Sequence, residues 1–108
     1  MKLWVDDVRI APEGYIWVKT VNEAKKAIMD AEEMTNRPRM FDCNFNLTLL
    51  DMDHDAGDYA HDGGDYIKLL DWLEETGRNY PIRIHSMNPV GRENMRNIIR
   101  KNGWTEVQ

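Results

Sequence analysis

The residues best suited to chemistry are His54 and His85, the carboxylates Asp6, Asp7, Asp53 and Asp55, and the run Ser86-Met87-Asn88-Pro89-Val90-Gly91-Arg92. Two imidazoles facing one phosphate can divide the general-base and general-acid roles, because each titrates near neutral pH. Asp6, Asp7 and Asp53 make a three-carboxylate oxygen set that suits a hard cation, Mg²⁺ or Mn²⁺. Without a cation, like charges so close raise one another's pKa. The plainer reading of these acids is that they cap loops by accepting from backbone amides. In the third group, Asn88-Pro89 opens a helix whose first amides are unpaired and whose dipole favours an anion. Gly91 lets an anion approach the backbone, and Arg92 adds a forked, charge-assisted contact. Ser86 and Asn88 complete the phosphate set. Asp53 and Asp55 orient the imidazoles, or Asp53 joins the cation set. No cysteine cluster supports zinc, and His61-Asp62, between Gly57 and Gly63-Gly64, reads as a solvated loop or part of a lid.

These groups work together only if the fold brings them to one place. Lys2 to Val5, Tyr15 to Val18, Leu47 to Asp53 and Ile82 to His85 read as strands from their apolar and β-branched content. Thr20-Val21-Asn22-Glu23 is a capping box, followed by Val21, Ala24, Ala27, Ile28 and Ala31 on one helical face. A second helix spans Asp65 to Thr76 with Tyr66, Leu69, Leu70 and Leu73 inward, and a third runs from Asn88-Pro89 to about Asn102. Met87 and Trp104 read as packing residues. The order β-β-α-β-α-β-α predicts an α/β fold, a small open parallel sheet with right-handed crossovers. Ligands in such sheets bind beyond the carboxyl ends of the strands. Asp6-Asp7, Asp53-His54-Asp55 and His85-Ser86 all fall there, so one rim is predicted to gather both imidazoles and the acids.

The remaining numbers bound the function. A chain of 108 residues supports one domain, residues 1–108, and 42% hydrophobic content is enough for a core. Nineteen acidic against 14 basic side chains give a net charge of −5, which disfavours a duplex-DNA binder but leaves room for a nucleotide or an RNA end in a local pocket. One cysteine, Cys43, allows no internal disulfide, so a reducing, cytoplasmic compartment is expected. No stretch reaches the roughly 20 apolar residues of a membrane span. The acidic start after Met1 is unlike a signal peptide.

Leu3-Trp4-Val5-Asp6-Asp7-Val8-Arg9 with Pro12 and Gly14, Asp53-His54-Asp55-Ala56-Gly57, the Tyr66 to Leu73 helix and Ile84-His85-Ser86-Met87-Asn88-Pro89-Val90-Gly91 together resemble the cyclic-phosphate processing receiver family. The resemblance implies a receiver-like (flavodoxin-like) three-layer sandwich in abbreviated form. It implies handling of cyclic phosphates, such as 2′,3′-cyclic RNA ends in RNA repair or a small cyclic nucleotide, by a phosphodiesterase. It adds Arg9 to the substrate-binding candidates and aligns Asp53 with the phosphoacceptor of response regulators, Asp6 and Asp7 with their metal-binding pair. Two departures stand out. Only a short loop joins the first two strands, and nothing after Gly103 is expected to supply a fifth strand with its lysine. A phospho-receiver signalling through Asp53 is therefore the weaker alternative, behind a module that binds a nucleotide or phosphate without turnover. The segments Met34 to Asn46 and Asp58 to Gly64 are longer than the family pattern and are expected to add specificity or a partner surface.

Overall fold

The computed structural model describes residues 1–36 and 46–108. Four short strands, β1 (Lys2–Val5), β2 (Tyr15–Val18), β3 (Leu49–Met52) and β4 (Ile82–Ile84), alternate with three helices, α1 (Val21–Asn36), α2 (Ile67–Glu75) and α3 (Pro89–Asn102), in the predicted order. The sheet is wholly parallel, in the order β2-β1-β3-β4. The chain thus has the α/β, receiver-like architecture that the sequence predicts.

Local chemistry explains where the helices start. Thr20 Oγ1 accepts from the Glu23 amide at 3.0 Å, and the Glu23 carboxylate accepts from the Lys19 amide at 3.2 Å, one residue earlier than in the usual reciprocal box. Asn88 Oδ1 accepts from the Gly91 amide at 3.0 Å, and Pro89 holds the first helical position of α3.

The handedness of the crossovers decides which face is covered. The steps from β2 to β3 and from β3 to β4 run in the same direction across the sheet, so right-handed connections place α1 and α2 on one face, with α3 beside α2. Their side chains meet one parity of strand residues in a single core: Leu3, Val5, Leu50, Met52, Ile82 and Ile84 against Val21, Ile28, Leu69, Leu73, Met95 and Ile99. The step from β1 to β2 runs the other way, and residues 6–14 make it without a helix, so among the described residues the expected three-layer sandwich lacks its third layer. The second face therefore carries an unusual row. Trp17, Trp4, Asp51 and Arg83 are register neighbours across β2, β1, β3 and β4.

Several elements differ in detail from the sequence reading. β3 is shorter than Leu47 to Asp53, although Asp53 N–H still donates to Val5 O at 2.9 Å. β4 ends at Ile84, one residue before His85. Where a polar loop was expected, Gly57–His61 forms a 3₁₀ turn, and α2 begins at Ile67 because the Asp65 carboxylate instead accepts from the Ala56 amide. The Asp62 carboxylate accepts from Thr20 Oγ1 at 2.7 Å and Asn22 Nδ2 at 2.9 Å. The loop expected as a solvated segment or lid is thus fastened to the start of α1. The chain end also supplies what was not expected. Glu106 bridges in parallel to Ile82, with Ile82 N–H donating to Thr105 O and Val107 N–H to Ile82 O. This one-residue strand stands in the fifth position, and Arg96 holds it by bonding Glu106 at 3.0 Å. Of the Met34 to Asn46 segment, residues 37–45 lie outside the described residues, as does Cys43. No helix among the described residues is long and apolar enough to cross a membrane.

Candidate active site

The carboxyl ends of β1, β3 and β4 meet on one rim, because all strands run parallel and β1 and β4 both flank β3. Asp6, Asp7 and Asp53 lie there with one oxygen each within 4.8 Å of the others. Asp6 is buried and heavily used. Its Oδ1 accepts from the Val8 and Arg9 amides at 2.9 Å each, and its Oδ2 bonds His85 Nε2 at 2.8 Å. Burial alone would raise the Asp6 carboxyl. The amides and the imidazole outweigh it and hold the group below the ordinary carboxylate range. Asp7 behaves in the opposite way: burial and the charges of Asp6 and Asp53 push it up. Gly57 makes room for Asp7, since a Cβ there would lie 2.6 Å from Asp7 Oδ2, and its φ of +56° suits glycine.

This donor set fits a hard divalent cation. All three groups offer oxygen, and the charges of Asp6 and Asp53 add to burial in raising the Asp7 carboxyl. A carboxylate has about four acceptor directions, and three of Asp6's are taken. Asp7 and Asp53 would therefore carry most of the ligation.

His85 sits behind the acids. Its side chain is only 6% exposed, and its two ring nitrogens bond two different carboxylates, Asp6 Oδ2 at 2.8 Å and Asp51 Oδ1 at 2.7 Å. Trp4 stacks on the ring at 3.9 Å with 5° between planes. Asp51 is fully buried and also accepts from Arg83 at 3.0 Å and Tyr15 Oη at 3.2 Å. Burial pushes Asp51 up, but the bonds from His85 and Arg83 more than offset it and keep the carboxyl low. Both ring nitrogens of His85 are thus taken by carboxylates. The ring has no free nitrogen for a substrate, so the geometry does not offer the pair of imidazoles facing one phosphate that the sequence suggests. Asp51 was missed because an apolar run around it, Leu49-Leu50-Asp51-Met52, reads as a buried strand. The available signal was the charge itself, together with Arg83 in the equivalent place of Ile82-Arg83-Ile84.

His54 is differently placed. Its Nδ1 bonds Asp55 Oδ1 at 2.8 Å, and among the described residues no group takes Nε2. Gly91 was expected to admit an anion, but the space it leaves is filled by His54: a Cβ at Gly91 would lie 2.4 Å from His54 Cγ. The imidazole is thus seated on the first turn of α3. Within that turn Pro89 has no N–H, Gly91 donates to Asn88 Oδ1 and Arg92 N–H to Asn88 O, which leaves the Val90 amide without a partner among the described residues. Arg92 Nε is buried and has no acceptor among the described residues.

The other candidates support this arrangement. Asn88 Nδ2 reaches the Asp55 carboxylate at 3.3 Å, and buried Ser86 accepts from the Asn88 backbone N–H at 3.1 Å. Arg9 donates to His85 O at 2.9 Å and ties the loop after β1 to the loop after β4. Asp53 Oδ1 accepts from the His54 amide at 2.7 Å. Met87, expected to pack, is 78% exposed, while Trp104 does pack against the core. Two hollows of about 160 and 270 Å³ lie away from the rim, along α1; the first includes Glu32, whose carboxylate is already bonded to Arg78.

Comparison with curated proteins and with solved structures finds no match. The family model of the cyclic-phosphate processing receiver domain matches residues 1–101 of the 108, and with strands, rim acids and both histidines falling inside that span, the chain belongs to this family.

Proposed function

We propose that the domain hydrolyses a cyclic phosphate ester, with His54 as the general base and acid. One observation carries this reading: His54 has Nδ1 fixed by Asp55 and Nε2 free, on a helix end where the Val90 amide and Arg92 Nε both lack acceptors. A buried unpaired donor costs free energy of about 1–3 kcal/mol, and an anionic ligand removes that cost.

The Asp55 carboxylate requires a hydrogen on Nδ1, which leaves Nε2 as a proton acceptor. Nε2 takes a proton from water as the water oxygen bonds to phosphorus. The ring P–O bond breaks, and the same proton passes from Nε2 to the leaving oxygen, giving a phosphomonoester. The Val90 amide and Arg92 hold the phosphate oxygens as charge develops on them. When bound at Asp7, Asp53 and Asp6, Mg²⁺ or Mn²⁺ would supply Lewis-acid stabilisation of that charge. His85 is a positioning residue here, since it fixes Asp6 through Nε2.

The test is a screen of cyclic phosphates, including nucleoside 2′,3′-cyclic and 3′,5′-cyclic forms, with and without Mg²⁺ or Mn²⁺. Wild type should open at least one ring, and His54→Ala should lose about 10²–10⁴-fold in kcat/KM while keeping its circular dichroism. Wild type inert toward every compound would defeat the proposal.

A further inference from the structure

The four most exposed large apolar side chains of the described residues are Ile10 (80%), Met87 (78%), Val8 (73%) and Val90 (70%). They are not scattered. Val8 and Ile10 flank Arg9 on the loop after β1, Met87 and Val90 flank Asn88-Pro89 after β4, and Arg9 ties the two loops through His85 O at 2.9 Å. Single exposed apolar residues are common, but grouped ones mark a contact surface. This group borders the turn on which His54 sits, with the Val90 amide and Arg92 Nε unpartnered.

The charge around it is the second observation. Asp6, Asp7, Asp53 and Asp55 lie in the loops after β1 and β3 and Asp58 in the 3₁₀ turn that follows, and the whole chain carries −5, so a divalent cation held by the first three still leaves it net negative. A trailing RNA strand would bring further phosphates toward these acids, where chain binding needs lysines and arginines. A single nucleoside brings one charge and one apolar base.

We propose that Met87 and Val90 form a shelf for a nucleobase, and that the substrate is a mononucleoside cyclic phosphate, not the end of an RNA chain. The inference rests on the phosphate lying at the first turn of α3. A phosphate held there carries its ribose directly, so the base lands near that turn, whose exposed large apolar residues are Met87 and Val90. Flipped and free bases are commonly held against apolar side chains in this way.

The experiment compares three compounds: a nucleoside 2′,3′-cyclic phosphate, glycerol 1,2-cyclic phosphate, which has no base, and a short oligoribonucleotide ending in the same cyclic group. The nucleoside compound should have a KM roughly tenfold below the glycerol compound. Met87→Ser should remove most of that preference, and Met87→Leu should retain it, since it keeps the apolar surface. The oligonucleotide should be the poorer substrate, most clearly at low salt. Equal KM values with and without a base, or a preference that survives Met87→Ser, overturn the shelf. An oligonucleotide that matches or exceeds the mononucleotide overturns the substrate class. If no compound turns over, calorimetry with a nucleoside 3′-monophosphate against inorganic phosphate reads the same preference. A Met87-dependent preference then supports the shelf while hydrolysis fails, and no preference, or no binding, overturns the shelf as well.

Discussion

His85 joins Asp6 and Asp51 across the sheet, 2.8 Å from one carboxylate through Nε2 and 2.7 Å from the other through Nδ1. A buried ring bonded to two buried carboxylates is strained by loss of any member, because the others remain desolvated and unpaired.

His85→Ala should therefore destabilise the domain by about 3 kcal/mol or more, and Asp51→Ala by a similar amount. Urea denaturation followed by circular dichroism measures both. A loss under about 1 kcal/mol in each variant would contradict the reading of the three groups as one buried unit.

The same unit sets an acid limb. Asp6 and Asp51 have folded pKa values below the ordinary carboxylate value of 3.8. Their contribution to stability is complete above that value and disappears as pH falls through the lower folded values. Stability should hold from neutral pH to about pH 5 and then fall steeply below about pH 4. Asp51→Asn, which removes one of the two groups, should flatten that fall in a pH series of denaturation midpoints.

Asp7 has the opposite sign. Its raised carboxyl means that ionisation opposes folding, fully so above the folded pKa and not at all well below the unfolded one. Asp7→Asn should raise the Tm of the metal-free protein at pH 7. Mn²⁺ at about 100 times its Kd should raise the Tm of wild type by roughly 10 °C, and this rise should vanish in Asp7→Asn. Equal Mn²⁺ shifts in both proteins would place the cation elsewhere.

Gly91→Ala tests the seat of His54 without touching a polar group. The added methyl collides with the imidazole, 2.4 Å from Cγ, while the backbone of α3 accommodates alanine. Displacing the ring by about 1 Å should cost on the order of 10²-fold in turnover, with helix content kept. Nuclear magnetic resonance of the His54 ring protons reports the displacement directly. An undisturbed ring signal together with full turnover would count against His54 as the working base.

Much of this was legible in the residues. Period, caps and punctuation placed the four paired strands and the three α-helices, and the parallel order followed from strand–helix alternation, which sent Asp6, Asp53, His54 and His85 to the same rim. What the residues did not reveal was partnership across the sheet. His85 and Asp6 are 79 positions apart, His85 and Asp51 are 34 apart, and nothing local tells a free imidazole from one closed between two acids. Asp51 hid inside an apolar strand. Gly91 looked like space for an anion because the ring that fills it comes from another strand end. The one-residue strand at Glu106 was too short for any periodic signal.

The loop that replaces a helix between β1 and β2 has a further consequence. In a sandwich with helices on both sides, oil seals the sheet from above and below, and acidification leaves that seal intact. Here one lid of the sheet is ionic, built from Trp4 stacked on His85 with Asp51, Arg83 and Tyr15 around it. Protonating the acids should open the molecule from that side first, so amide exchange in β1 and β3 should quicken at low pH before exchange in α2 does.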